Sequence, residues 1–398
     1  MKPVTYINAA ASRFPRTQID LSLIRGGPFY RVQRAAKLIR QSQWNHARRV
    51  TIAIALTWLP LVVITALHNP TALTSLLRDY RVYARLLIAV PILLAGQLMM
   101  DVRFRMIVAH IGEANLLGVE DWPSLDSIVA MIKRFRDSVF PEAAILALVI
   151  IHTATTFRTR IDATPWIASG VTPDLHLTPA GWYGVLVSAT IFQFLLGLGL
   201  WKWLLWVIFA FRFSRLDLQL IPTHPDRHGG LGFLGLAPIA FAPISFAASA
   251  AIGSTWRHDI LVHGARLASF KLPALVLLVL IALIALGPLA FFAPRLATLR
   301  RQGLMDYGAL GQIHSMGFHD KWIHHRAGHE SELLTAEEIS TLCDYGGSYE
   351  RLKGMTPFPA DRGAYVALGA SVVVPMLPAV IAVVPLIVVV KDLLTAVR

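Results

Sequence analysis

The sequence predicts an all-α, polytopic integral membrane bundle of about seven transmembrane helices. Three observations predict it. Six or seven stretches are apolar over the roughly 18 to 20 residues that a helix needs to cross the hydrocarbon core. Hydrophobic residues make up 55% of the 398 and charged residues 15%, with a mean hydropathy of +0.56, beyond the range of a soluble globular chain. Lysine and arginine also gather on one side of those stretches.

Residues 1–49 form a basic arm, with ten Lys or Arg against one acid, Asp20, and no apolar run of a cleavable signal. Within it, residues 29–41 place Val32, Ala35, Ala36 and Ile39 on one helical face, with Arg31, Arg34, Lys37 and Arg40 around the rest. That pattern predicts an interfacial helix lying on anionic lipid. The arm supplies nine of the thirteen net positive charges, yet it lacks interleaved stacking aromatics, so nucleic acid is not the partner. The single cysteine, Cys343, excludes an internal disulfide and a cysteine zinc site.

Residues 50–293 carry the first six spans. They are 50–67 with Pro60 inside, 86–100 ending at Asp101, Arg103 and Arg105, 140–157 with His152, 180–211 with Lys202, 231–253 with many small residues, and 269–293. Trp58, Trp182 and the group Trp201, Trp203 and Trp206 suit the interfacial belt. Before the third span, Asp121-Trp-Pro123 starts an amphipathic helix near 122–139 that faces inward with Leu125, Ile128, Ile132, Phe135 and Val139. Residues 294–363 form a soluble segment, histidine-rich over 314–329. In it, Thr335-Ala-Glu-Glu338 has the spacing of a capping box that starts a short helix through Leu342. Residues 364–398 hold the last span and tail. Pro375, Pro378 and Pro385 interrupt this span, so a re-entrant turn is the alternative to crossing.

With the N-terminus cytosolic and seven crossings, the cytosolic segments hold 26 Lys and Arg and the opposite side 10. The bias predicts a cytosolic N-terminus and a periplasmic C-terminus.

Several strings stand out. They are Trp58-Leu-Pro-Leu61, Arg136-Asp-Ser-Val139, Ser214-Arg-Leu-Asp217, Pro222-Thr-His-Pro-Asp-Arg-His-Gly-Gly-Leu-Gly-Phe-Leu-Gly235, Gly303-Leu-Met-Asp-Tyr-Gly308 and Lys321-Trp322. With them the chain resembles a group of bacterial multi-pass inner-membrane proteins. The resemblance implies that location and brings no activity, substrate or site residue with it.

Two motifs inside the 222–235 string mislead. Gly230-Leu-Gly-Phe-Leu-Gly235 spells a dinucleotide fingerprint, but it opens a membrane span and no βαβ unit surrounds it. His224-Pro-Asp226 spells the J-domain tripeptide in a loop far too short for that module. Chemically, Gly229 and Gly230 permit a tight turn, and His224, Arg227 and His228 stand where the next helix's first N–H groups point, an anion-attracting corner. Asp226 and Asp217 are expected to pair with Arg227 or Arg215 as a clasp between the fourth and fifth spans. His152, alone inside a span, is the remaining ligand or gating candidate.

Histidine spacing raises an enzyme alternative. His224 and His228, then His319, His324, His325 and His329, are similar in spacing to the iron-binding clusters of membrane desaturases and hydroxylases, which would make a metal-dependent enzyme acting on lipid. His319 stands one residue too far from the pair, and Pro225 opposes one helical turn through His224 and His228. No other cofactor is expected. The principal expectation is a channel or small-solute transport protein, because small residues and prolines in the fifth and last spans suit a cavity-lining bundle. A small anion or solute and a second copy of the chain are the expected partners besides the bilayer. A membrane scaffold or sensor is the second alternative.

Overall fold

The computed structural model describes residues 21–39, 45–157, 164–170, 176–324 and 337–383. Among them six helices are long and apolar enough to span a membrane, or seven if a helix pair bent by 42° (residues 119–137 and 140–156) counts as one span. The predicted fold class is therefore the observed one.

The first span, His46–His68, is two helices, α2 (His46–Thr57) and α3 (Leu59–His68), that meet at Trp58, just before the Pro60 that cannot donate a backbone hydrogen bond. The second runs from Tyr80 to Glu113, 34 residues against the predicted 86–100, through a π-helical stretch (Tyr83–Ala89) into α4 (Val90–Glu113). Asp101 does not stop this helix. It is fully buried and turns inward to partners described below. Helix α5 (Trp122–Asp137) buries Leu125, Ile128 and Ile132 as the periodicity predicts, and Val129 besides, although Phe135 and Val139 are exposed near the bend into α6 (Phe140–Phe157).

The fourth span continues from a second π-helical stretch (Gly184–Ala189) into α7 (Thr190–Phe213). Its tryptophans depart from the belt reading. Trp203 and Trp206 are buried, and Trp206 stacks on Phe104 with ring centroids 5.1 Å apart. The aromatic run through Phe209, Phe213 and Phe292 forms the centre of the core, because α7 is apolar on every face and its inner stripe meets α4, α5 and α8.

Helix α8 (Leu236–Val262) and the last helix α12 (Arg362–Ile381) pack side by side and in the same direction. Gly235 lies against Pro359 and Ala360, the Ser245 and Ser371 hydroxyls bond at 2.5 Å, and Gly253 lies against Pro375 and Met376. Small residues let these backbones approach. Pro375 and Pro378 sit inside a continuous helix, so no re-entrant turn forms within the described residues, while Pro385 lies outside them. The sixth span, α9 (Lys271–Leu286) with a 3₁₀ turn at Gly287–Phe291, leads into α10 (Ala293–His319). That helix pairs with α11 (Glu337–Lys353), where Tyr345 stacks on Tyr307. Helix α11 runs well beyond the predicted Leu342, and Thr335 lies outside the described residues.

The arm is the largest surprise. Its helix α1 (Pro28–Ala35) is shorter than predicted, with Val32, Ala35 and Ala36 exposed and Gln33 turned into the protein. The residues before it, Leu21, Leu23 and Ile24, are buried in the main core. The segment is part of the bundle's packing.

Candidate functional site

The Pro222–Gly235 corner is built by its own aspartate. Asp226 Oδ1 accepts from the backbone N–H of His228 (2.8 Å) and Gly230 (3.2 Å), and Oδ2 accepts from Gly232 N–H (2.8 Å). His224 Nδ1 stands 2.8 Å from Oδ1. Burial pushes this carboxyl up, but the three N–H donors and His224 outweigh it and hold Asp226 below its ordinary value. Gly229 (φ +66°) and Gly230 (φ +97°) supply the left-handed backbone that turns the N–H groups inward. The protein's own carboxylate thus fills the anion seat that the sequence suggests.

The expected ion pairs are placed differently. Arg227 is exposed, itself left-handed (φ +59°), and makes no ion pair among the described residues; its carbonyl accepts from Thr356 N–H at 3.0 Å. Asp217 pairs with Arg295 at 3.8 Å, and Arg215 lies 5.0 Å over the Phe211 ring. His228 Nδ1 meets the Thr356 hydroxyl at 3.0 Å. The corner is a clasp, as one reading has it, but Asp226 closes it from within, and its link to the turn after α11 runs through the Arg227 carbonyl and His228, not through the Arg227 guanidinium.

Among the described residues the histidines do not converge. No group of three or more His, Cys, Asp or Glu suited to a metal occurs among the described residues. The corner packs on α10 at Leu296, Leu299 and Gly303, whereas His319 lies sixteen residues past Gly303, about 24 Å along the helix at 1.5 Å per residue. His319 and His324 are neighbours, ring centroids 4.7 Å apart; His325 and His329 lie outside the described residues. His152 is exposed on the outer surface of α6, not in the bundle.

What sequence reasoning missed is a charged site under the arm. Glu142 and Lys202 are 5% and 7% exposed inside the bundle, with Nζ 3.8 Å from Oε1. Glu142 Oε2 accepts from Phe29 N–H at 2.6 Å, capping the start of α1. Asp137 Oδ1 accepts from Gly27 N–H at 3.1 Å, and Arg136 Nη1 donates to the Ser22 carbonyl at 2.6 Å. Asp101 accepts from the Ser22 hydroxyl and from Arg25 Nε, the latter at 2.9 Å. The arm is held by carboxylates from α4, α5 and α6.

Gly27 (φ +85°) lies directly over the pair, since a Cβ there would stand 2.5 Å from Glu142 Oε1 and 3.4 Å from Lys202 Nζ. Beside them is a cavity of about 30 Å³, lined in part by Gln33, Gln97, Glu142 and Lys202. Glu142 Oε1, Lys202 Nζ and Gln33 Oε1 are buried without a hydrogen-bond partner among the described residues. Gln97 accepts from the buried Arg49 at 2.7 Å. The cavity is large enough for a water or a solute atom of that size, with one donor and two acceptors facing it. The signal was present in the sequence. It is one Lys and one Glu set into otherwise apolar spans, together with Arg25-Gly-Gly-Pro28. Compared with known proteins, the chain matches no family model, no curated protein and no solved structure.

Proposed function

We propose that this chain is a transport protein of the bacterial inner membrane, a channel or carrier for a small solute or ion, with its N-terminus cytosolic. The Glu142–Lys202 pair is the polar point of its pathway, covered on one side by the arm. The observation that carries this reading is a buried, loosely made ion pair facing a small cavity within membrane-spanning helices. Burying each charge costs several kcal/mol, roughly, and apolar residues would join these helices at less cost. Ionisable groups kept at such positions mark ion or substrate routes by default. Arg49 and Asp101 are buried as well, which adds charge to the interior. The π-helical stretches and Pro243 give three spans local irregularity of the kind found at functional sites.

The test is flux. Purified protein in liposomes should dissipate an imposed proton or chloride gradient faster than empty vesicles, and Glu142→Gln and Lys202→Met should each lower the rate at least tenfold while eluting as folded protein. Wild type no faster than empty vesicles rejects transport of these ions; both variants at the wild-type rate reject the site. A scaffold reading has one observation in its favour: Met305, Ile313 and Met316 make an exposed apolar stripe on α10.

A further inference from the structure

A second site lies on the outside of the bundle. Between α7 and the sixth span runs an open groove of about 460 Å³, walled by Leu200, Leu204 and Val207 on one side and Leu283, Gly287 and Phe291 on the other. Its origin is a proline. Pro288 has no N–H to give the Ile284 carbonyl four residues back, so α9 ends at Leu286 and the chain tightens into the Gly287–Phe291 turn. Trp203 Nε1 donates to that carbonyl at 3.0 Å, which satisfies the floor of the groove. The wall is apolar at membrane depth, where the surrounding solvent is acyl chain.

Both walls end in arginine. On α7 the stripe Leu200, Leu204, Val207 continues to Phe211, and the Arg215 guanidinium lies 5.0 Å over that ring. On the other wall Phe291 meets Phe211 edge-on at 5.3 Å, and Arg295 follows one turn later. Arg295 donates to the Leu216 carbonyl and stands 3.8 Å from the exposed Asp217. Arg215 is exposed, and its side chain makes no hydrogen bond or ion pair among the described residues. These arginines stand on the face that carries the arm and the corner, the face where positive charge concentrates.

We infer that the groove binds one anionic phospholipid, its acyl chain along Gly287 and its phosphate at Arg215 and Arg295. Basic groups at the end of an interhelical apolar groove have the chemistry for an anionic headgroup, and arginine suits phosphate better than lysine does. This inference does not depend on the transport reading.

The test uses the full chain, delipidated in detergent, with lipid binding read by native mass spectrometry and thermal stability read in parallel. Wild type should bind phosphatidylglycerol more tightly than phosphatidylcholine, and inorganic phosphate alone should not raise stability. Each arginine should contribute about a fivefold preference, so Arg215→Gln with Arg295→Gln should bring the two lipids level. Arg215→Gln alone is the decisive form if the double variant fails to fold, because Arg295 also holds a carbonyl. A Cβ at Gly287 meets nothing within 4 Å, so Gly287→Leu should fill the groove and remove lipid binding with lipid-free stability unchanged. Undiminished lipid binding in Gly287→Leu, or undiminished phosphatidylglycerol preference in Arg215→Gln, overturns the site.

Discussion

Gly27 and Asp226 carry the sharpest single-residue consequences. At Gly27 the backbone is left-handed and a side chain would press on Glu142 and on the Arg136 carbonyl. Gly27→Ala should therefore destabilise by at least about 1–2 kcal/mol, visible as a lower melting temperature in detergent, and an unchanged melt would mean that the arm is not seated there. Asp226 is held below its ordinary value by N–H donors that outweigh burial. A carboxyl lowered in this way contributes stability in full above its unfolded value, near ~3.9, and loses it as pH falls through the folded one. The stability gap between wild type and Asp226→Asn should accordingly be constant from pH 7 to 5 and close below pH ~4. Arg227→Ala should change stability little, since its guanidinium holds nothing among the described residues; a large loss would restore the arginine clasp. At this scale the sequence showed which residue types crowd the corner but not which atom meets which. An aspartate three and four residues before two glycines can as easily find an arginine as a ring of N–H groups.

Among the elements, nearly every helix was legible as an apolar run, while its ends and bends were not. Asp101, Arg103 and Arg105 looked like a stop because charge normally ends a span, yet one of them turns inward to Ser22 and Arg25, a partner 76 residues away from Asp101 that no local pattern reveals. The π-helical stretches carry no sequence mark either, because they depend on which neighbours the extra residue meets. The α8–α12 contact tests the packing. A Cβ at Gly253 would lie 3.1 Å from the Pro375 carbonyl, whereas one at Gly369 meets nothing within 4 Å. Gly253→Leu should cost about 1–3 kcal/mol by overpacking, and Gly369→Leu should melt close to wild type. Equal melts for the two variants would refute the parallel pairing of these helices.

For the whole molecule, the charge bias and the contacts agree on which segments share a face. The arm meets Asp101, Asp137 and Glu142, and the corner meets α10 and the turn after α11. Asp79, Arg81 and Trp166 meet one another among the segments placed on the other side. A reporter fused at 30 or 345 should thus be cytosolic and one at 168 or 262 exported; an exported reporter at 345 would reverse the proposed orientation.

The seating of the arm also constrains how the molecule is made. Residues 21 to 36 precede every span, but their seat is completed by Asp101, Asp137, Glu142 and finally Lys202. During synthesis the full seat does not exist until the fourth span has left the ribosome and entered the bilayer. Three spans, the second to the fourth, must place their side chains before the first-made helix has its full seat. Completing the arm's seat is thus a late step of assembly, and its docking reports that the second, third and fourth spans have come together in register.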